Sequence, residues 1–276
     1  MMLELLNYDF FLNAVYILLF ASIVCAVAGA LIVINRMVFL AGAVAHAAYG
    51  GVGLAFFLAQ PVLPITLAFS IVSSSAIGIY TAKKTSRIDS VIGIFWALGM
   101  ALGIILIDFT PGYKADLMSY LFGSLLAVSS NDILMVVVLS VISILFLFAF
   151  YRQLVLFSYD REFAFVKGVN IVAIHTLIII LSAVSIVILI KIVGIILVIA
   201  FLTIPQYLSE GKTNTLMGMI LLSCVYTICF GISGLIFSFY FNTTSGASII
   251  IIAGIWFVVE KMFLGIKNGK SEKIAT

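Results

Sequence analysis

Residues 35–58 read NRMVFLAGAVAHAAYGGVGLAFFL. Past Arg36, His46 is the only strongly basic or acidic side chain in this apolar run. An ionisable group at membrane depth is costly, so it is read first as a functional site. Gly42, Gly50, Gly51 and Gly53 surround it, with Ala41, Ala43, Ala45, Ala47 and Ala48 between them. Such small residues let neighbouring helices approach closely. One polar group in a small-residue seam is what a translocation path requires, and His46 is the candidate.

Composition supports a membrane setting. Of 276 residues, 64% are hydrophobic and only 9% charged, with mean hydropathy +1.34. A soluble surface needs far more charge than this. The chain is read as an all-α polytopic bundle forming one transmembrane domain over 1–276, a multi-pass protein of the cell (inner or plasma) membrane. The N-terminus MMLELLNYDF is acidic and lacks a basic region or a small-residue cleavage site, so the first span is expected to act as the insertion signal. Cys25, Cys224 and Cys229 all fall in apolar runs and read as small core residues.

Nine apolar runs are long enough to span or nearly span: 10–33, 37–59, 64–81, 88–107, 131–151, 169–190, 193–210, 213–238 and 246–265. Without water to satisfy the backbone, each must be a helix. The join at Ile190-Lys191-Ile192 is tight, so eight spans is the alternative. With the N-terminus outside, twelve Lys and Arg residues fall on inner segments, against Lys114 and Lys191 outside. That bias predicts N-out and C-in.

Three further segments stand out. Residues 120–129, YLFGSLLAVS, are too short to span and read as a half-helix near the outer surface. The inner loop 151–170 mixes charges with Phe157, Phe163, Phe165 and Val166; residues 160–167 read as a short amphipathic helix stopped by Gly168. It either lies on lipid headgroups or docks a cytosolic partner. Pro205 kinks the seventh span, with Gln206 and Tyr207 behind it, as a gate or as plain structure.

Several chemistries are set aside. Gly211-Lys212-Thr213 and Gly269-Lys270-Ser271 resemble the end of a phosphate loop, but Gln206 and Leu264 stand where its first glycine belongs. Two histidines cannot make a polyhistidine site. No carboxylate pair lies mid-span, which argues against an ion-coupled pump. The chain is read as no enzyme, with no cofactor of its own and no nucleic-acid partner.

The motifs together resemble one family. They are N-R-M-x-F-L-x-G-x-x-x-H-A at 35–47, SYLFGSLLAV at 119–128, Asp160-Arg161-Glu162-Phe163-Ala164 with Lys167-Gly168-Val169-Asn170, Val193 to Val198 leading to Pro205, and Thr244-Ser245-Gly246-Ala247. The chain is similar to membrane permease subunits of ABC-type divalent metal importers, the zinc and manganese uptake family. The resemblance implies a homodimer with a second permease copy, cytosolic ATP-binding subunits and an extracytoplasmic metal-binding protein. It implies alternating access driven by ATP on the partner chains, and an ATPase-coupling helix at Asp160, Arg161, Glu162, Phe163, Lys167 and Gly168. His46 becomes a transient metal contact, and Pro205 with Gln206 a kink or gate. His175, nearer the cytoplasmic end of its span, reads as structural.

One departure alters the expected chemistry. Family members usually carry an aspartate four residues before the histidine; here that position is Gly42, and Ala45 replaces the usual serine. Hard oxygen ligands suit manganese, whereas imidazole suits zinc. The expectation is therefore zinc, with manganese or iron next, and Gln206, Tyr49 or a symmetry-related His46 as a second contact. A permease for siderophore- or corrinoid-type chelates and a membrane scaffold that transports nothing are the alternatives.

Overall fold

A computed structural model describes residues 9–82, 88–110, 125 and 128–272. The helices are α1 (Asp9–Ile34), α2 (Val38–Phe57), α3 (Val62–Ala82), α4 (Ile88–Asp108), α5 (Ser130–Tyr159), α6 (Arg161–Val166), α7 (Ile171–Val193), α8 (Ile195–Glu210), α9 (Leu216–Phe241) and α10 (Ser245–Glu272). No strand occurs among the described residues. The all-helical expectation holds.

Each apolar run folds as one helix, and α6 lies outside them. Among the described residues eight helices are long and apolar enough to cross a membrane. The ninth, α8, has 16 residues. At 1.5 Å per residue it reaches only about 24 Å, short of a hydrocarbon core about 30 Å thick. Counting runs gives nine; counting full spans gives eight. The break between α7 and α8 is not at Ile190-Lys191-Ile192, through which α7 continues. It is at Gly194, whose φ of +83° only glycine adopts cheaply.

Two loop expectations change. Most of 151–170 is helical, because α5 runs 30 residues to Tyr159 before Asp160 breaks it. Leu154 and Phe157, three apart and fully buried, extend the core-facing stripe of α5 beyond Arg152, so the charge at 152 does not end the helix. The half-helix expected over 120–129 lies, apart from 125, 128 and 129, outside the described residues. Ser129 caps α5 in a reciprocal box with Asp132, and Asp132 pairs with Lys191 of α7 at 2.7 Å.

α1 and α7 form the buried centre. α5 packs on both from one side, while α4 packs on α2 and α3 at the other. α8 touches α1, α2, α7, α9 and α10. Polar stitches join distant turns: Asn35 Nδ2 donates to Ser158 Oγ at 3.0 Å, and Ser22 Oγ meets Cys224 Sγ at 3.3 Å. Cys25 is buried as expected, but Cys229 is exposed on α9, since it lies on the face turned away from the bundle.

The seam around α2 is held by backbone contact. A Cβ on Gly50 would lie 2.8 Å from the Gly99 carbonyl oxygen of α4, and one on Gly99 would lie 2.7 Å from the Ala47 Cα. On the other flank a Cβ on Gly51 would lie 2.7 Å from the Thr66 Cα of α3. No side chain fits there without the helices parting. Gly103→Leu, aimed at the Tyr49 carbonyl, is expected to cost about 2 kcal/mol or more of stability, read as a lower melting temperature in detergent. Gly93→Ala, with nothing within 4 Å, should leave melting unchanged or slightly raised.

Candidate functional site

The seam fixes which face of α2 stays open. Ala41, Ala43, Val44, Ala45, Ala47 and Ala48 are buried, while Gly42 and His46, one turn apart, are half-exposed. Val38, a further turn back, is exposed. His46 stacks on Trp96 of α4, ring centroids 4.6 Å apart and planes within 5°. Trp96 is itself wedged between Phe39, at 5.5 Å, and the Met100 sulfur, to which its N–H donates at 3.1 Å. The indole face thus sets the imidazole plane. No hydrogen bond engages either His46 nitrogen among the described residues, so its lone pair is available to a cation. A Cβ built on Gly42 meets only Ile199 Cδ1 of α8, at 3.9 Å. The space for a side chain exists; the side chain does not.

The other expected contacts fall elsewhere. Tyr49 is buried in the α2–α4 seam against Gly103. Gln206 is fully buried and turned toward α1, donating from Nε2 to the Cys25 carbonyl at 2.7 Å, where Gly29 makes room for it. Its Oε1 has no partner among the described residues. Gln206 is therefore not brought to His46. Pro205 lies inside α8, which continues to Glu210; Ser209 Oγ donates to the Pro205 carbonyl at 2.7 Å. Among the described residues no three His, Cys, Asp or Glu side chains gather as a metal site. His46 can offer a cation contact from this chain, not a closed cage.

At the opposite end of α5, the 160–168 segment forms the expected short helix. Asp160 caps it by accepting from the Phe163 N–H at 2.8 Å, and Gly168, at φ +79°, turns the chain into α7. Ala164 is buried and anchors the helix, while Glu162, Phe163, Phe165 and Val166 are exposed. Lys167 lies over the Phe163 ring at 5.3 Å. Arg161 lies over the Phe157 ring at 4.5 Å; burial lowers its pKa, yet an arginine remains charged.

Phe157 continues the contact inward. It meets the His175 ring at 5.8 Å, and His175 Nε2 bonds Thr81 Oγ1 at 2.9 Å. Arg161, Phe157, His175 and Thr81 thus join α6 to α5, α7 and α3 in one chain of contacts. His175 is fully buried, remote in role from a cation path.

Sequence reasoning missed a second cluster. Lys212, after α8, pairs with Glu260 of α10 at 2.8 Å and also bonds the Tyr226 hydroxyl of α9. Trp256 Nε1 donates to the same Glu260 oxygen at 3.2 Å. Partial burial pulls the Lys212 pKa down, but bonds from Glu260 and Tyr226 outweigh it and hold it above the ordinary value. The one signal was an acid inside the last apolar run, and its sequence neighbour Lys261 points to the wrong partner, since that side chain lies over the Tyr207 ring at 4.6 Å instead.

Residues 7–264 match the model of the ABC 3 transport family. The chain belongs to that family. It is 38% identical to an uncharacterized membrane protein of Synechocystis over 95% of this chain and 93% of that one. It is 31% identical to the manganese transport system membrane protein MntC of Halalkalibacterium halodurans, over 94% and 89%. Among solved structures, PsaBC from Streptococcus pneumoniae matches with TM-score 0.81 at 29% identity, covering 94% of this chain and 95% of that one. The resemblance read from five motifs is borne out, and this ABC 3 protein is a multi-pass membrane permease.

For this ABC 3 permease the buried link from α6 to α3 is the most exposed to a single change. Thr81→Val removes the Nε2 partner of His175, whose Nδ1 already lacks one. The expected loss is about 1–3 kcal/mol, checked by thermal unfolding of the purified permease. The near-ultraviolet signature of Trp96, which stacks on His46 away from this contact, should be unchanged.

Proposed function

We propose that this permease passes a divalent first-row transition metal ion into the cell, along a path between two copies of the chain. The observation that carries the reading is His46. Its imidazole is the one donor on the open face of α2, held flat against Trp96 with both nitrogens unengaged by described residues. Manganese is supported by relatives named for manganese transport, at 31–32% identity across most of the chain. A specific observation favours zinc as the second reading: Gly42 provides no hard oxygen ligand beside an imidazole. Two copies facing each other across His46 would bring two imidazoles to one ion.

The end bearing Arg36, Arg152, Arg161, Lys167 and Lys212 is proposed as cytoplasmic, by the basic bias. Cytosolic ATP-binding subunits then grip α6 through Phe163, Phe165 and Val166, which are exposed there. Their closure pushes α6. Arg161, Phe157, His175 and Thr81 carry the displacement to α3 and α7, and Gly194 lets α8 swing relative to α7. Because α8 faces Gly42 through Ile199, its swing opens or closes the side of the path at His46. An extracytoplasmic metal-binding protein delivers the ion at the other end.

In a reconstituted complex, His46→Ala is expected to lower metal uptake at least tenfold while leaving ATPase co-purification intact; unchanged uptake would remove His46 from the path. In the same assay Gly42→Asp, for which space exists, should shift competition between the two ions toward manganese by about tenfold. Glu162→Arg is expected to weaken ATPase co-purification and uncouple hydrolysis from uptake. Retained coupling in that variant would refute the docking role of α6.

A further inference from the structure

We propose that the groove where α5, α6 and α7 meet holds the headgroup of an anionic phospholipid, with Arg152 and Lys167 as its phosphate contacts. The groove is a cavity of about 400 Å³. Arg152, Gln153, Lys167 and Asn170 supply its polar lining, with Lys167 and Arg152 exposed, and Phe150, Ile174 and Leu177 line it with apolar surface. No carboxylate lines it. Arg152 forms no ion pair among the described residues, and Lys167 is engaged only by the Phe163 ring. Asn170 caps α7, giving its side-chain oxygen to the Ala173 N–H at 3.0 Å, so the positive end of that helix faces the same space. Two unpaired cations and a helix N-terminus beside apolar surface suit an amphiphile with a negative head.

A second observation identifies the occupant. Leu134, Val138, Val141, Leu145 and Phe148 are exposed along one stripe of α5 at three- and four-residue spacing, and Arg152 is the next position in that stripe. The apolar face therefore ends at a cation at the level where hydrocarbon gives way to headgroups. α5 packs on α1 and α7, with those two helices between it and the pair α2 and α4 that carries His46 and Trp96. A second copy placed against His46 leaves this stripe facing lipid, so an acyl chain can lie on it while its phosphate reaches the groove. The placement at the headgroup level rests on the orientation proposed above. The competing occupant is the ATPase, because the groove adjoins α6.

The test uses the full-length permease in mild detergent, titrated with phosphatidylglycerol or phosphatidylcholine of identical chains and read by native mass spectrometry. The expected result is retention of one phosphatidylglycerol per chain, at least tenfold in preference to phosphatidylcholine. The double variant Arg152→Gln, Lys167→Gln should lose that preference about tenfold, and Arg152→Lys should keep it; glycerol phosphate at matched concentration should not displace the lipid. Equal binding of both lipids, retention unchanged in the double variant, or full displacement by glycerol phosphate would overturn the proposal. So would a double variant that keeps its lipid but no longer co-purifies with the ATPase subunit, because the groove would then belong to that partner. If the double variant fails to fold, the lipid preference of the native chain and the Arg152→Lys result still decide. The readout needs neither metal nor ATP, so loss of the His46 reading would leave it standing.

Discussion

The close approach of α2 to α4 and α3 governs the rest of the architecture. Glycine at 50, 51, 99 and 103 brings main chain against main chain, where dispersion replaces any hydrophobic drive between helices in lipid. Close contact on two flanks leaves α2 one free side. His46 lies on that side because it is one turn on from Gly42, where a Cβ would meet only Ile199, and not because imidazole prefers it. The same closeness brings Trp96 within stacking distance. Position and orientation of this donor thus follow from residues that carry no chemistry themselves.

The proposed coupling to ATP-binding subunits rests on a different set of contacts. The helix α6 has six residues, too few to be stable alone. Its Asp160 cap, the buried Ala164 and the Arg161–Phe157 contact make it a rigid handle on α5 and α7. Further inside, His175 and Thr81 extend that rigidity to α3. The helix pattern is interrupted at Gly194, with φ +83°, and at Pro205, which leaves one helix carbonyl without its usual donor. A rigid handle and a localised break are the two parts that the proposed relay would need.

Much of this could be read in the chain before any coordinates. Apolar runs of the right length gave every long helix, and Asp160 with Gly168 marked both ends of α6 because a cap and a left-handed stop have distinct residue requirements. His46 stood out since charge is rare in lipid. What could not be read was direction. Gln206 follows a proline, so its angular position does not follow from counting residues, and it faces Cys25 rather than His46. Trp96 looked like any aromatic in a span; only the third dimension puts it under the imidazole. Lys212 and Glu260 are 48 positions apart in sequence, and no local periodicity links them. Arg152 misled on the length of α5, because a long side chain can end an apolar stripe without ending the helix.

The shortness of α8 has an electrical meaning. A doubly charged ion faces a desolvation barrier that grows with the depth of low-dielectric material it must traverse. A wall only about 24 Å tall is shorter than the hydrocarbon thickness, so on the proposed path polar medium would reach further in at one or both of its ends. On the proposed path beside Ile199 and Gly42, the ion would therefore cross a thinner insulating layer than along α1 or α7. In that shortened layer a single imidazole would have to replace less of the hydration shell, so the proposed path reconciles a sparse donor set with passage of a strongly hydrated cation.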